Sequence, residues 1–295
     1  MKTARNAIRL LREFSPDTPK LGVSDLSRRL KLDRATVHRL LRTLLEERFI
    51  EQDAASRLYR LGPGVLELAQ SFLRQHGLIR LAMSHLERLR DATGETVGLQ
   101  ILDGRESVCI AAVESRHPIR VDYYIGERMP LYCTSSGYAL LAGMTAASRK
   151  AMLSSKLHKH TPKTVVSVAK IEETVAETLR RGMGFSDEGY VAGARAISAP
   201  IHGPSRDVIA VVTMVAPSQR MSLKQVPALG QTVKETAARI SSDVARVGTM
   251  DSSTLKGEGL YRSRRGDGLY EERRPTRRPD FLEASIPHRR RWSAR

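Results

Sequence analysis

Residues 24–45, SDLSRRLKLDRATVHRLLRTLL, constrain the fold of this chain more than any other stretch. Val37, Leu40, Leu41, Leu44 and Leu45 fall at i, i+3, i+4, i+7 and i+8, one apolar stripe of an α-helix. Arg34, His38 and Arg42 recur at i+4 on a different face, with Ala35 and Arg39 beside them. Asp33 is placed to N-cap this helix, and Ser24 to N-cap a shorter one before it. Two short amphipathic helices joined by a tight turn, the second basic on its outside, have the form of a reader of the DNA major groove. A plain helical hairpin with a solvated basic face fits the same residues. The surroundings favour the first reading. Ala4, Ala7, Ile8, Leu11 and Phe14 make a preceding helical stripe, and FIEQDAASRLYRLG reads as a strand over 49–52, a polar turn over 53–56 and a strand over 57–61. Three helices and a β-hairpin within 62 residues predict a winged helix-turn-helix. The residues expected to face double-stranded DNA are Ser24, Arg34, Ala35, Thr36, His38, Arg39 and Arg42 on the helices, with Arg57 and Arg60 on the wing. Contacts from the wing to phosphate would position the protein without specifying sequence.

The formal net charge of +17 suits an anionic partner such as nucleic acid. Residues 1–62 hold 14 Lys and Arg against 8 Asp and Glu, and residues 249–295 hold 12 against 7, so the excess is spread and does not locate a site. A length of 295 residues leaves room for a second hydrophobic core. No apolar run approaches the roughly 20 residues needed to cross a bilayer. The basic N-terminus MKTARNAIRLL has helically spaced apolar residues and no signal-peptide core, so a cytoplasmic protein with no membrane partner is expected. Two cysteines, Cys109 and Cys133, are too few for a disulfide framework and read as reduced, buried thiols.

Gly62-Pro63-Gly64 breaks the chain. A linker helix is expected over 65–75, with Val65, Leu66, Ala69, Phe72 and Leu73 apolar and Gly77 as C-cap. Its apolar face suits a partner subunit or its own domain equally. A helix over 78–92 follows, and then ETVGLQIL, Asp103-Gly104 and RESVCIAAV predict a hairpin. A further strand is expected over 119–125 and a loop over 126–130, before a Ser-rich turn opens a short helix in LYCTSSGYALLAG. Helices over 148–154 and 171–181 come next, then strands over 194–201 and 208–215 around Gly203-Pro204. A last amphipathic helix carries Val226, Leu229, Val233, Ala237, Ile240 and Val244. The expected class is α+β: a winged helix-turn-helix over 1–62, a linker helix over 63–77, and over 78–247 a curved, mainly antiparallel sheet with helices around it. The ends of such a sheet can hold a small ligand. Residues 248–295, rich in Arg, Gly, Ser and Pro without an apolar period, read as a basic disordered tail. It would be a solvated extension or an electrostatic arm on DNA.

Laid out in order, residues 1–247 resemble the IclR (isocitrate-lyase-regulator) family of bacterial transcription factors. The resemblance rests on ATVHRLLRTL, YRLGPGVLELA, GETVGLQILDG, GERMPLYCTSSGYALLA, TPKTV and GFSDEGYVAGARAISAPI, in register along the chain. It implies a winged helix joined to a GAF-like effector-binding domain, assembly as a homodimer or homotetramer, and repression or activation of operons for small organic acids. It places a pocket for a small carboxylate effector at Ser135, Ser136, Ser186, Asp187, Ala196, Thr213 and Val215. Amides near a helix start suit the anion, although Ser before a helix is ordinarily just a cap.

The departures from the family pattern shape the expectation further. Ala196 stands where the family often has Cys, Val215 where it often has Ser, Gly189 where an acid is common, and Tyr138 where Lys is common. A wall with fewer polar groups favours an apolar or aromatic body with one charged end over glyoxylate. Lys31 and Arg48 occupy turn positions that are usually Gly, which predicts modest strain. Evidence for catalysis is thin: the chain has no GxSxG, HExxH or Walker loop. GMGFSD at 182–187 lacks the third glycine of a dinucleotide turn and follows a helix. His158, His160 and Cys133 have no ordered second pair for a metal. A regulator with no catalytic residue, cofactor or metal is expected. The alternative is a small-molecule-converting enzyme whose helical N-terminus serves for assembly.

Overall fold

Leu10, Leu26, Leu41 and Ile50, all fully buried, set the core of the N-terminal unit. It is one of two units into which residues 2–250, those described by the computed structural model, divide between Gln75 and His76. Helices α1 (Lys2–Leu11), α2 (Val23–Leu30) and α3 (Arg34–Glu46) close around that core, and α3 buries Val37, Leu40, Leu41 and Leu44 at the spacing read from the sequence. Strands β1 (Ile50–Gln52) and β2 (Tyr59–Leu61) pair antiparallel, Ile50 opposite Leu61, and Leu21 bridges to Tyr59. The unit is a winged helix-turn-helix followed by α4 (Pro63–Gln75).

Local readings are corrected at several places. Helix α1 is rotated from its expected stripe: Asn6, Leu10 and Phe14 are buried at intervals of four, while Ile8 is 53% exposed. The buried amide of Asn6 hid this face from an apolar count. Ser24 does not cap α2. The N-cap is Gly22, in extended backbone, and the Leu21–Tyr59 bridge fixes the chain just before it. Helix α4 starts earlier than expected because proline fits a first helical turn, where no N–H is needed. Gly62 lets the chain pass the Arg48 carbonyl, which a Cβ would meet at 2.6 Å. Gly77 is not a C-cap; His76 is the N-cap of α5 (Gly77–Thr93) and Gly77 its first residue. Lys31 and Arg48 do sit at positive φ, 55° and 59°.

The second unit is a six-stranded antiparallel sheet in the order β5-β4-β3-β8-β7-β6. Its strands are β3 (Thr96–Asp103), β4 (Glu106–Val113), β5 (Arg128–Pro130), β6 (Gly184–Asp187), β7 (Ala194–His202) and β8 (Val208–Pro217). Helices α6 (Ser135–Ala142), α7 (Ala146–Met152), α8 (Val168–Arg181) and α9 (Val226–Met250) complete it. The two-residue period of a strand sorts the sheet. Val97, Leu99, Ile101, Ile197, Ala199, Ile201, Ala210, Val212 and Met214 pack under α5 and α9 in one large core. The alternate residues, among them Gly98, Gln100, Ala196, Ser198, Thr213 and Val215, point to the opposite face, beside α6. Bulges at Leu99/Gln100 and Ile201/His202 bend it.

The strand expected over 119–125 is absent. Its alternation is real, with Val121 and Tyr123 buried and Ile119 and Ile125 exposed. The edge of β4 is instead taken by β5, within the segment read as a loop, so 119–125 has no ladder to join. Strand β6 formed where no strand was expected, pairing with β7. The Asp103-Gly104 hairpin between β3 and β4 is present, Gly104 at φ 64°. The reading of a basic disordered tail concerns residues that, from 251 onward, lie outside those described.

Candidate functional site

On α3, Arg34, Ala35, His38 and Arg39 are exposed together, opposite the buried leucine stripe. Arg34, His38 and Arg39 make no ion pair among the described residues. Arg42 is tied to Glu46 (Nε–Oε1 3.0 Å) and Arg60 to Glu51 (Nε–Oε2 2.9 Å). The sequence placed Arg34, His38, Arg39 and Arg42 on the basic side of α3 and Arg60 on the wing; among the described residues the first three make no ion pair, while Arg42 and Arg60 each do. Thr36 serves the helix start: Asp33 accepts its N–H and its hydroxyl, each at 2.7 Å. The Thr36 hydroxyl above all, then the Thr36 amide, holds the Asp33 carboxyl below its usual range. Ser24 is exposed in the first turn of α2. Arg57 is exposed at φ 59°, closing the wing turn. In that turn Asp53 accepts from the Ser56 amide and hydroxyl, which with Lys20 push its carboxyl far below the ordinary value.

In the second unit a cavity of about 50 Å³ lies between the polar face of the sheet and the first turn of α6. Ser135 and Ser136 form its roof, Ala196, Thr213 and Val215 its floor, and Ser186 one side. Ala196 and Val215 are register partners, which is why two apolar residues stand together there. Thr134 caps α6, accepting the Gly137 amide at 3.1 Å. The amides of Ser135 and Ser136 precede the first helical bond and have no partner among the described residues, though both residues are buried. This turn is pressed tightly into the unit. A Cβ on Gly137 would lie 2.1 Å from the Leu131 carbonyl oxygen, and one on Gly184 2.3 Å from that of Ser135.

Asp187 is the exception among the expected wall residues. Along β6 the faces alternate, so Ser186 points in and Asp187 out, where it meets Arg195 at 2.5 Å and Lys163 at 3.0 Å. Burial alone would raise its carboxyl, but the hydrogen bonds from Arg195 and Lys163 outweigh that and lower it. Two family departures also fall away from the wall. Tyr138 packs in the core with Leu131, Leu140 and Ile171, and a Cβ on Gly189 would lie 2.7 Å from the Cys133 carbonyl oxygen, so no side chain fits there.

Sequence reasoning missed Gln100, Ser198, Tyr123, Val121, Met129 and Tyr190. Ser135, Ser198, Thr213, Gln100 and Tyr123 form one buried hydrogen-bonded row, 2.8, 2.6 and 2.5 Å in its first three links. Gly98 makes it possible, because the Tyr123 ring occupies the space of its absent Cβ. Val121, Tyr123 and Met129 supply the apolar side. Cys109 and Cys133 are free and buried as expected; burial pushes the Cys109 thiol up to about 12 and Cys133 upward too. His160 is engaged by the Tyr132 hydroxyl at 2.9 Å and the edge of Tyr190 at 4.8 Å.

Comparison with known proteins matches both parts of the chain to one family. The model of the IclR helix-turn-helix domain matches residues 3–54, and that of the bacterial transcriptional regulator IclR C-terminal domain matches residues 70–242. The HTH-type transcriptional regulator BhcR of Paracoccus denitrificans is 30% identical over 226 residues, 76% of this chain and 81% of that protein. The transcriptional repressor IclR of Escherichia coli is 27% identical over 244 residues, 82% of this chain and 89% of its own length. The crystal structure of an IclR homologue from Microbacterium hydrocarbonoxydans, complexed with 4-hydroxybenzoate, is 26% identical with a TM-score of 0.71, covering 83% of this chain and 99% of that one.

Proposed function

This chain belongs to the IclR family of bacterial transcriptional regulators, and from that premise we propose that its second unit senses a small carboxylic acid with an apolar or aromatic body. On this reading the protein binds operator DNA through α3 and the wing, as a homodimer or homotetramer, and controls an operon that consumes such an acid. The observation that carries it is the pair of amides of Ser135 and Ser136, two buried residues that line the cavity at the positive end of α6, which have no partner among the described residues. A carboxylate placed there completes both donors and meets the helix dipole. Val121, Met129, Ala196 and Val215 favour an apolar body. The complex of the Microbacterium homologue with 4-hydroxybenzoate supports an aromatic one. Assembly is supported by α4, whose Leu66 and Leu68 are 70% and 61% exposed, and by the need to engage two half-sites. Ligand and DNA are then linked reciprocally: whichever acid prefers one arrangement shifts operator affinity, and the operator shifts acid affinity equally.

The test is fluorescence anisotropy of labelled DNA from upstream of the protein's own gene, titrated with and without benzoates and short-chain acids. An aromatic acid should shift the operator curve. A shift with glyoxylate or pyruvate and none with any aromatic acid would remove the reading of the wall.

A further inference from the structure

The hydroxyls around the cavity have a direction. Thr134 donates to the Pro130 carbonyl at 2.8 Å and Ser186 to the Cys133 carbonyl at 2.9 Å. A carbonyl only accepts, so neither proton is available to a ligand. Ser136 donates to Thr134 Oγ1 at 3.3 Å, the Thr134 proton being already committed. On the sheet side, Thr213 donates to Gln100 Oε1 at 2.5 Å. Ser198 must then donate to Thr213 across 2.6 Å, and Ser135 to Ser198 across 2.8 Å. Gln100 sets that order. Its carboxamide has one accepting end, turned to Thr213, and its Nε2 donates to the Tyr123 hydroxyl. The five Ser and Thr hydroxyls that line the cavity thus commit every proton to the protein and have only lone pairs to offer.

We infer that this cavity selects a ligand with two unlike ends: an anionic group for the Ser135 and Ser136 amides, and a hydrogen-bond donor, hydroxyl or N–H, for the lone pairs of Thr213 and Ser186. Gln100 is the specificity-determining residue that imposes the second requirement. The inference rests on the carboxylate reading above and narrows it to hydroxy- and amino-acids of either body. A keto, methoxy or second carboxylate group in the donor's place would face lone pairs, losing its water for no bond. Sites built to bind a hydroxyl discriminate far more sharply than apolar pockets do.

The experiment is calorimetry on the full chain with matched pairs: 3- and 4-hydroxybenzoate and 4-aminobenzoate against 4-methoxybenzoate and terephthalate, and 3-hydroxybutyrate against acetoacetate. In whichever series binds, the donor-bearing member should bind at least about tenfold tighter. Thr213→Val, which keeps shape, should reduce the hydroxylated acid to the affinity of its methoxy partner. Gln100→Met releases the Thr213 proton and should narrow the gap by itself. Thermal melts and operator binding establish that each variant is folded. Equal binding of donor and acceptor partners, or a gap that survives Thr213→Val, overturns the inference and leaves the carboxylate reading intact. If no carboxylate of either series binds, both fall.

Discussion

On the outer face of α3, Arg34, His38 and Arg39 stand in solvent without ion pairs among the described residues, whereas beside the cavity Ser135, Ser198, Thr213 and Gln100 are buried and each is tied to the next. A solvated polar side chain costs little to keep and can be removed without leaving a hole. A buried dipole is tolerated only while its partners remain, so a change at one member is felt along the row. On the proposed reading, recognition and stability are therefore separable on α3 and fused at the cavity. Substitutions that test function cleanly in the first region need isosteric partners in the second.

The largest effect expected lies where the cavity is most tightly built. Gly137→Ala puts a Cβ against the backbone of Leu131, whose carbonyl oxygen and Cα lie 2.1 and 2.4 Å away, and backbone cannot turn aside as a side chain can. The second unit should lose about 3 kcal/mol or more. A denaturation midpoint unchanged from the parent chain would break the comparison at its strongest point.

Next in size is the division between amide and hydroxyl at one residue. Ser135→Ala removes only the hydroxyl, and with it the bond to Ser198, worth about 1 kcal/mol of stability. Ser135→Pro also removes the amide. Thr134 before it is already extended, φ −115° and ψ 151°, as a residue before proline must be. Proline should therefore weaken a carboxylate effector by about 1.5–3 kcal/mol beyond alanine, the range of a hydrogen bond to a charged group. Equal affinities in the two variants, measured by calorimetry, would move the anion elsewhere.

On α3 the expected effects are of similar size but of a different kind. Arg39→Ala should cost about 1–3 kcal/mol of sequence discrimination with no change in melting temperature. Arg57→Ala should weaken all sequences alike and flatten the salt dependence of binding by about one contact. Anisotropy against operator and scrambled DNA at several salt concentrations separates the two. An Arg39→Ala protein with full preference would show that this face does not read bases.

How far each region could be read from sequence follows from the same contrast. The α3 face was legible because a helix beside solvent writes its two sides as separate residue types: Val37, Leu40, Leu41 and Leu44 inside, Arg34, His38 and Arg39 outside. The sheet was legible as strands, but both of its faces are covered, so Gln100 within LQIL and Ser198 within AISAPI read as interruptions in apolar runs. Their shared parity with Gly98 and Thr213 was the available signal. It becomes informative only with the β3–β8–β7 register, which sequence spacing does not supply. Asp187 went wrong for the same reason, one residue being a whole face in a strand. The segment 119–125 had the alternation of a strand and lacked only a neighbour, which is a fact about β5 and not about its own residues.

The smallest prediction returns to the turn between α2 and α3, where stability and recognition should come apart most plainly. Lys31 is the C-cap of α2 at φ 55° and ψ 43°, its amide bonded to the Ser27 carbonyl, and its side chain is exposed. A side chain in the left-handed region costs about 1–2 kcal/mol, and glycine there gives back about 0.5–1 kcal/mol through the greater freedom of the unfolded chain. Lys31→Gly should therefore stabilise the winged helix by about 0.5–1 kcal/mol. Lys31→Ala, which removes the same charge and keeps the Cβ, should not stabilise it. If the lysine also meets phosphate, both variants should lose DNA affinity equally and independently of sequence. Thermal melts and anisotropy on the three proteins resolve the terms. A glycine variant no more stable than the alanine variant would show that the turn carries no strain of this kind.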